Sequence, residues 1–306
     1  MCRPTACCRP RCDALRAPAA SILDIDFRDP AAAFAPLAEE PFAILLDSAS
    51  GGARGRYALI CASPTDVFRY DEISRAPFEV LASVVGHDGY RWDGPGPFAG
   101  GAVGFLGYEL GGALERLPPP KPPAFPYAAA LGIYRTFAVF DLIDRRAWAV
   151  DIDGHAGRAK ALAVRLGHRE TALPAFDPVA WTPDLTKDGY CRRVGRIVEY
   201  VAAGDIFQAN FAQRWTAPWP QGIGAFDVYA RLRARAPAPF CSFMNVGADA
   251  AFMSVSPERF LNVSAAGHVE TRPIKGTRPR GPTPGEDRRN ADALLASGKD
   301  RAENLM

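Results

Sequence analysis

Residues 130–150 read ALGIYRTFAVFDLIDRRAWAV, a stretch so rich in aromatic and β-branched side chains that it fits a pleated sheet better than a helix. The polar turn at Asp144–Arg146 predicts one long hairpin. A hairpin alone is barely stable in water, so the chain must supply other elements to cover it. Upstream, PFAILLDSAS and RYALICASP are apolar runs separated by the Gly-rich segment 51–55, and they read as a neighbouring strand pair. PFAGGAVGFLGYELGGALERLPPP adds a Gly-spaced strand and a short helical pattern that Pro118–Pro120 must stop. GRAKALAVRLGHR, residues 157–169, is helical, with Gly167 near its end.

LPAFDPVAWTPDLT, residues 173–186, carries three prolines and no periodicity, which suits a linker. The expected division is an irregular extension over 1–20, an N-terminal region over 21–175 and a second domain over 182–306. In the latter, Tyr190, Val194, Ile197, Val198 and Val201 form one apolar helical stripe that Gly204 should cap. GDIFQANFAQRW then alternates, with Phe207, Ala209, Phe211 and Trp215 on one face and Gln208, Asn210 and Arg214 on the other, as a strand would. Residues 265–267 turn a hairpin toward TRPIKGT. PGEDRRNADALLAS reads as a helix that Gly298 should end, followed by a new helix capped by Asp300 with Glu303 three residues on.

Composition excludes more than it assigns. The 306 residues allow two domains, 48% hydrophobic content is ordinary, and a net charge of +2 gives no reason to expect nucleic acid or an anionic membrane surface as partner. No apolar run reaches the length of a membrane span. Cys2, Cys7, Cys8 and Cys12 lack zinc-site spacing, and the total of seven cysteines is odd. Reduced thiols in a cytoplasm are the expectation. Gly100, Gly101, Gly104 and Gly107 match no phosphate-binding pattern, so close packing or tight turns are expected there. Glu258 reads as a structural residue that pairs with Arg259 or closes its loop.

TRPIKGTRPRG, residues 271–281, sets Lys275 among Arg272, Arg278 and Arg280. Such a lysine is either solvated on a loop or pushed toward its neutral, nucleophilic form. The arginines are either a solvated basic turn or carboxylate-gripping groups.

GDIFQANFAQR, SVSPERFL, TRPIKGTRPRG and KDRAENLM, in that order, resemble the chorismate-utilising enzymes of the anthranilate synthase component I family, and PIKGT resembles the aminodeoxychorismate synthases within it. The resemblance implies an α+β fold of two packed antiparallel sheets flanked by helices, incomplete at its C-terminal end. It implies that Lys275 adds to C2 of chorismate as the C4 hydroxyl leaves, and that ammonia then attacks C4 and expels the lysine. Gln208 stands where water-using relatives carry a basic lysine, and glutamine accepts no proton at neutral pH, which points toward ammonia. Gln208, Arg272, Gly276 and Thr277 are the implied substrate-binding positions. Glu303 is the implied Mg²⁺ ligand, and Ser48 in LLDSA resembles a position lining a tryptophan pocket, or is a hydrogen-bonded strand end. Ammonia would come from a glutamine amidotransferase partner. The family continues past KDRAENLM to a second magnesium-binding glutamate, so an incomplete, inactive chain is expected. Anthranilate synthase component I and a non-catalytic tryptophan-binding module are the alternative readings.

Overall fold

A computed structural model describes residues 19–70, 77–85, 92–118, 125, 127–167, 175, 177–247 and 250–305. The four N-terminal cysteines, Pro119 and Pro120, and Leu173, Pro174 and Phe176 of the expected linker lie outside these residues. The strands are β1 (Ser21–Ile25), β2 (Ile44–Asp47), β3 (Tyr57–Cys61), β4 (Asp66–Tyr70), β5 (Gly101–Leu106), β6 (Ala129–Tyr134), β7 (Thr136–Asp141), β8 (Arg146–Asp151), β9 (Thr182–Pro183), β10 (Trp215–Thr216), β11 (Phe240–Gly247), β12 (Ala250–Ser256), β13 (Asn262–Val263) and β14 (Val269–Glu270). The helices are α1 (Pro30–Phe34), α2 (Pro77–Val85), α3 (Ala156–Arg165), α4 (Lys187–Ala203), α5 (Ala225–Arg235), α6 (Pro284–Ala296) and α7 (Gly298–Leu305). The chain divides into two units, residues 172–228 and the remainder, 1–171 with 229–306.

The larger unit is built on an antiparallel seven-stranded sheet in the order β1-β8-β7-β3-β2-β11-β12. Its central strands are continuously apolar because both faces are covered. Ile44, Leu59, Cys61, Phe137, Val139 and Val150 pack with Val103, Ala130 and Tyr134 of a three-stranded sheet, β4-β6-β5. Leu45, Ala58, Ile60, Ala138 and Phe140 alternate with them and are equally buried. On that side α1 lies against β2 and β3, and α3 lies against β1, β7 and β8. The expected pair of packed antiparallel sheets flanked by helices is what the chain forms.

The run 130–150 does not make one hairpin. β6 pairs with β4 and β5, whereas β7 and β8 form the hairpin within the larger sheet. The chain crosses between sheets at Arg135, whose side chain pairs with Asp153 and whose carbonyl accepts from the Ile152 N–H at 2.9 Å. Both halves of the run are apolar because both enter the core shared by the two sheets. A Cβ at Gly104 would fall 2.0 Å from the Ala130 carbonyl oxygen, so close packing explains that glycine.

β11 joins the sheet beside β2, and this is what gathers residues 229–306 with the first 171. The junction is held from the helical side by α5. Tyr229 is fully buried, its ring lies 5.7 Å from that of Phe243, and its hydroxyl donates to Asp47 Oδ2 at 3.0 Å. Arg233 donates to the same carboxylate and also to Asp29 Oδ2 at 2.9 Å. Asp47 Oδ1 is buried with no hydrogen-bond partner among the described residues. Burial raises the Asp47 carboxyl, while Arg233 and Tyr229 act in the opposite direction.

In the smaller unit, Thr186 Oγ1 accepts the Gly189 N–H at 3.1 Å at the start of α4, and Gly204 ends the helix at φ 82°. The expected strand through GDIFQANFAQRW is absent from residues 206–214. Only Trp215 and Thr216 find a partner, β9, so an alternating pattern without a neighbouring ladder stays irregular. Phe211 packs against Tyr190 at 5.0 Å between ring centroids.

Replacing Arg233 with Met strands a buried carboxylate and should cost about 3 kcal/mol in urea unfolding at neutral pH. In that variant burial leaves the folded Asp47 pKa above its unfolded value, so folding takes up a proton. The deficit should therefore shrink as pH falls through the folded pKa. A variant with unchanged stability, or with a deficit that grows in acid, would contradict this.

Candidate active site

The site predicted from sequence centres on residues 271–281, the loop that follows the β13–β14 hairpin and precedes α6. Gly267 turns that hairpin at φ 80°, and the Thr271 hydroxyl donates to the Phe260 carbonyl at 2.9 Å, tying the loop to the preceding arm. The far end is fixed by α6. Thr283 caps this helix, its Oγ1 accepting the Glu286 N–H at 3.3 Å and donating to Glu286 Oε2 at 2.8 Å.

Each arginine around Lys275 has a carboxylate partner. Arg272 reaches Glu270 at 2.7 Å, Arg278 reaches Asp300 at 2.8 Å, and Arg280 grips Asp287 with two bonds of 2.6 Å. The Gly281 N–H also donates to Asp287 at 3.0 Å. Arg280 and this N–H hold the Asp287 carboxyl below its ordinary range. The cationic crowding suggested by sequence is thus compensated locally. Lys275 is half-buried and, among the described residues, forms no ion pair or hydrogen bond through its amine.

α7 adjoins this loop. α6 ends at Ala296, and Gly298 opens α7 instead of closing α6. The cap of α7 is Ser297, whose Oγ accepts the Asp300 N–H at 3.3 Å, so the capping position lies three residues before the one expected. Asp300 thus stands three residues after the cap, where its carboxylate meets both the Ser297 hydroxyl and Arg278 of the loop. Gly276, at φ 69°, leaves so little room that a Cβ there would lie 2.9 Å from Asp300 Cβ, Cγ and Oδ1. The Ser297 hydroxyl, with Arg278, holds the Asp300 carboxyl below the usual carboxylate range. Glu303, on the same helix, is half-buried and forms no ion pair among the described residues.

Other predicted positions are spread out. Thr277 is exposed, and its carbonyl accepts from Arg278 at 2.9 Å. Gln208 is exposed and belongs to the smaller unit. Ser48 is buried at the end of β2, and its hydroxyl donates to the Tyr57 carbonyl at 2.7 Å. Glu258 lies in a turn where Ser256 Oγ accepts its N–H at 3.3 Å. Arg259 pairs with Glu270 at 3.4 Å and not with Glu258, because β14 brings Glu270 beside it. Sequence reasoning missed Asp300 as a loop contact. The signal available was Gly276, a glycine beside a candidate nucleophile.

Residues 42–306 match the family described as chorismate binding enzyme, a span that holds β2 and β11 of the main sheet as well as the Lys275 loop. The chain belongs to the chorismate-binding enzyme family. It is 35% identical over 213 residues to aminodeoxychorismate synthase component 1 of Salmonella typhimurium, covering 69% of this chain and 45% of that protein. It is 34% identical over 307 residues to anthranilate synthase component 1 of Streptomyces coelicolor, covering 92% of this chain and 58% of that protein. The chain therefore spans about half the length of these curated relatives. Its fold is that of anthranilate synthase component I from Streptococcus pneumoniae, with a TM-score of 0.66 at 23% identity, covering 83% of this chain and 60% of that one.

Replacing Gly281 with Ala drives a Cβ to 2.2 Å from the Asp287 backbone nitrogen. Backbone cannot yield as a flexible side chain does, so the start of α6 should lose about 2 kcal/mol of local stability. Hydrogen exchange of the α6 amides checks this; protection equal to the parent would contradict it.

Proposed function

We propose that the protein aminates chorismate to 4-amino-4-deoxychorismate, with Lys275 as the covalent nucleophile. The supporting observation is the charge arrangement of the loop. Arg272, Arg278 and Arg280 are each bound to a carboxylate, and Lys275 is the loop cation whose amine forms no ion pair among the described residues. An amine held by a carboxylate would be occupied by that partner, whereas one without such a partner is available to bond a substrate carbon. The nitrogen bonds to C2, the ring double bonds shift, and the C4 hydroxyl leaves with a proton as water. Ammonia then forms the C4–N bond, the C2–N bond breaks, and the lysine departs as a neutral amine. One difficult displacement becomes two easier ones.

Gln208 supports ammonia over water as nucleophile, since its amide cannot serve as a base. Arg272, Gly276 and Thr277 would line the substrate side of the loop. No group of three or more His, Cys, Asp or Glu forms a metal cluster among the described residues. The free carboxylate of Glu303 nevertheless fits Mg²⁺, which is commonly held by one or two carboxylates with the substrate's own oxygens. Bound there, the ion would neutralise substrate carboxylate charge. Ammonia would be supplied by a glutamine amidotransferase subunit, as the printed name "component 1" of the Salmonella relative suggests. Among the described residues no helix is long and apolar enough to cross a membrane, and Cys61, Cys191 and Cys241 are free thiols, in keeping with a reducing cytoplasm as the setting.

Anthranilate synthesis is the second reading, favoured by the match to the Streptomyces coelicolor enzyme over 92% of the chain. The two readings differ in the ring position aminated. Incubating the full-length gene product with chorismate, ammonium and Mg²⁺ should give the para-aminated product by chromatography, and Lys275→Ala should slow its formation by roughly 10³-fold or more. Anthranilate as the product, or an undiminished rate in Lys275→Ala, would contradict the proposal.

A further inference from the structure

We infer that Asp300 is a positioning residue that sets where Lys275 can reach, by clamping the loop at Gly276 and Arg278, one and three residues after the lysine. The inference rests on Lys275 being the nucleophile. Its geometric basis is independent of that reading. Two loop residues converge on one carboxylate: Gly276 packs its backbone against the Asp300 side chain so closely that an added Cβ would lie at 2.9 Å, and Arg278 Nη2 donates to Asp300 Oδ2 at 2.8 Å. Asp300 is itself immobilised. Its N–H is held by Ser297 Oγ at 3.3 Å, the next N–H, of Arg301, bonds the Ser297 carbonyl at 3.0 Å, and its side chain is 11% exposed.

A residue serving only the helix start would direct its carboxylate to the helix N–H groups. Here Ser297 fills the cap, and the Asp300 carboxylate, besides meeting the Ser297 hydroxyl, takes the Arg278 bond from the loop. Lys275 leaves the backbone one residue before the clamp, at a left-handed turn that Gly276 adopts at φ 69° without steric cost. Since α7 also carries Glu303, the clamp fixes the lysine turn to the helix bearing the proposed ion ligand. Asp300 is not assigned a contact with substrate. Its effect is on the lysine's reach, and misplacement by about 1 Å is enough to slow a covalent step about 100-fold.

The test uses Asp300→Ala and Asp300→Asn in the full-length gene product, with two readouts. The first needs no substrate: acetylation of Lys275 by the N-hydroxysuccinimide ester of acetate, followed by peptide mass mapping and normalised to the exposed Lys187. Loss of the charged hydrogen bond should raise Lys275 labelling about tenfold in Asp300→Ala and less in Asp300→Asn, which keeps the shape against Gly276. The second is amination kinetics, where kcat should fall about 100-fold with KM within about threefold. Unchanged Lys275 labelling in the folded variants overturns the inference, as does a loss confined to KM or to thermal stability. If Asp300→Ala fails to fold, Asp300→Asn is judged alone by the same labelling criterion. Labelling that depends on Asp300 in a protein that never aminates chorismate would uphold the clamp and sink the nucleophile reading.

Discussion

Everything in the larger unit depends on a sheet that must bury both of its faces. β2, β3 and β7 carry apolar side chains at nearly every position, so one layer cannot satisfy them. The three-stranded sheet covers one side, and α1, α3 and the end of α5 cover the other. This demand for cover is what draws β11, nearly two hundred residues downstream, to the open edge of β2. Once β11 is placed, β12 follows by a hairpin, and the segment carrying Lys275 is attached to a rigid edge of the core. The candidate site is thus a consequence of sheet burial, although its own residues are mostly polar and exposed.

Charge within the site follows a different rule. Isolated cations on a loop gain little from surface ion pairs. Here the pairs serve geometry more than stability, because Arg278, Arg280 and Gly281 lock a loop rich in Pro and Gly onto two helices. Arginine suits this task, its planar fork accepting a carboxylate in one orientation, as Arg280 does with Asp287. Lysine offers no such fork, and Lys275 forms no ion pair among the described residues.

What could be read from the chain beforehand was local. The β2–β3 pair, the β7–β8 turn, the β13–β14 turn, α4 with its Gly204 cap and α6 all follow from short-range patterns that name their own partners. The failures occurred where a distant partner decides. Residues 130–134 leave the hairpin for another sheet because β4 and β5 compete for them. Residues 206–214 show the alternation of a strand but meet no neighbouring strand among the described residues. Ser297 displaced Asp300 as the cap because the helix starts earlier, and Asp300 meets both the Ser297 hydroxyl and Arg278, 22 positions away in sequence. Lys275 stood out in sequence. The carboxylate partners of its neighbours did not, since ion pairs across such separations leave no periodic trace.

The most direct measurement is chemical capture of the covalent species. The protein would be mixed with chorismate and Mg²⁺ without any ammonia source, quenched in acid and mapped by peptide mass spectrometry. The account predicts a peptide containing Lys275 heavier by chorismate less one water, and none elsewhere. An unmodified Lys275 under conditions where chorismate is consumed, or an adduct on another residue, would contradict it.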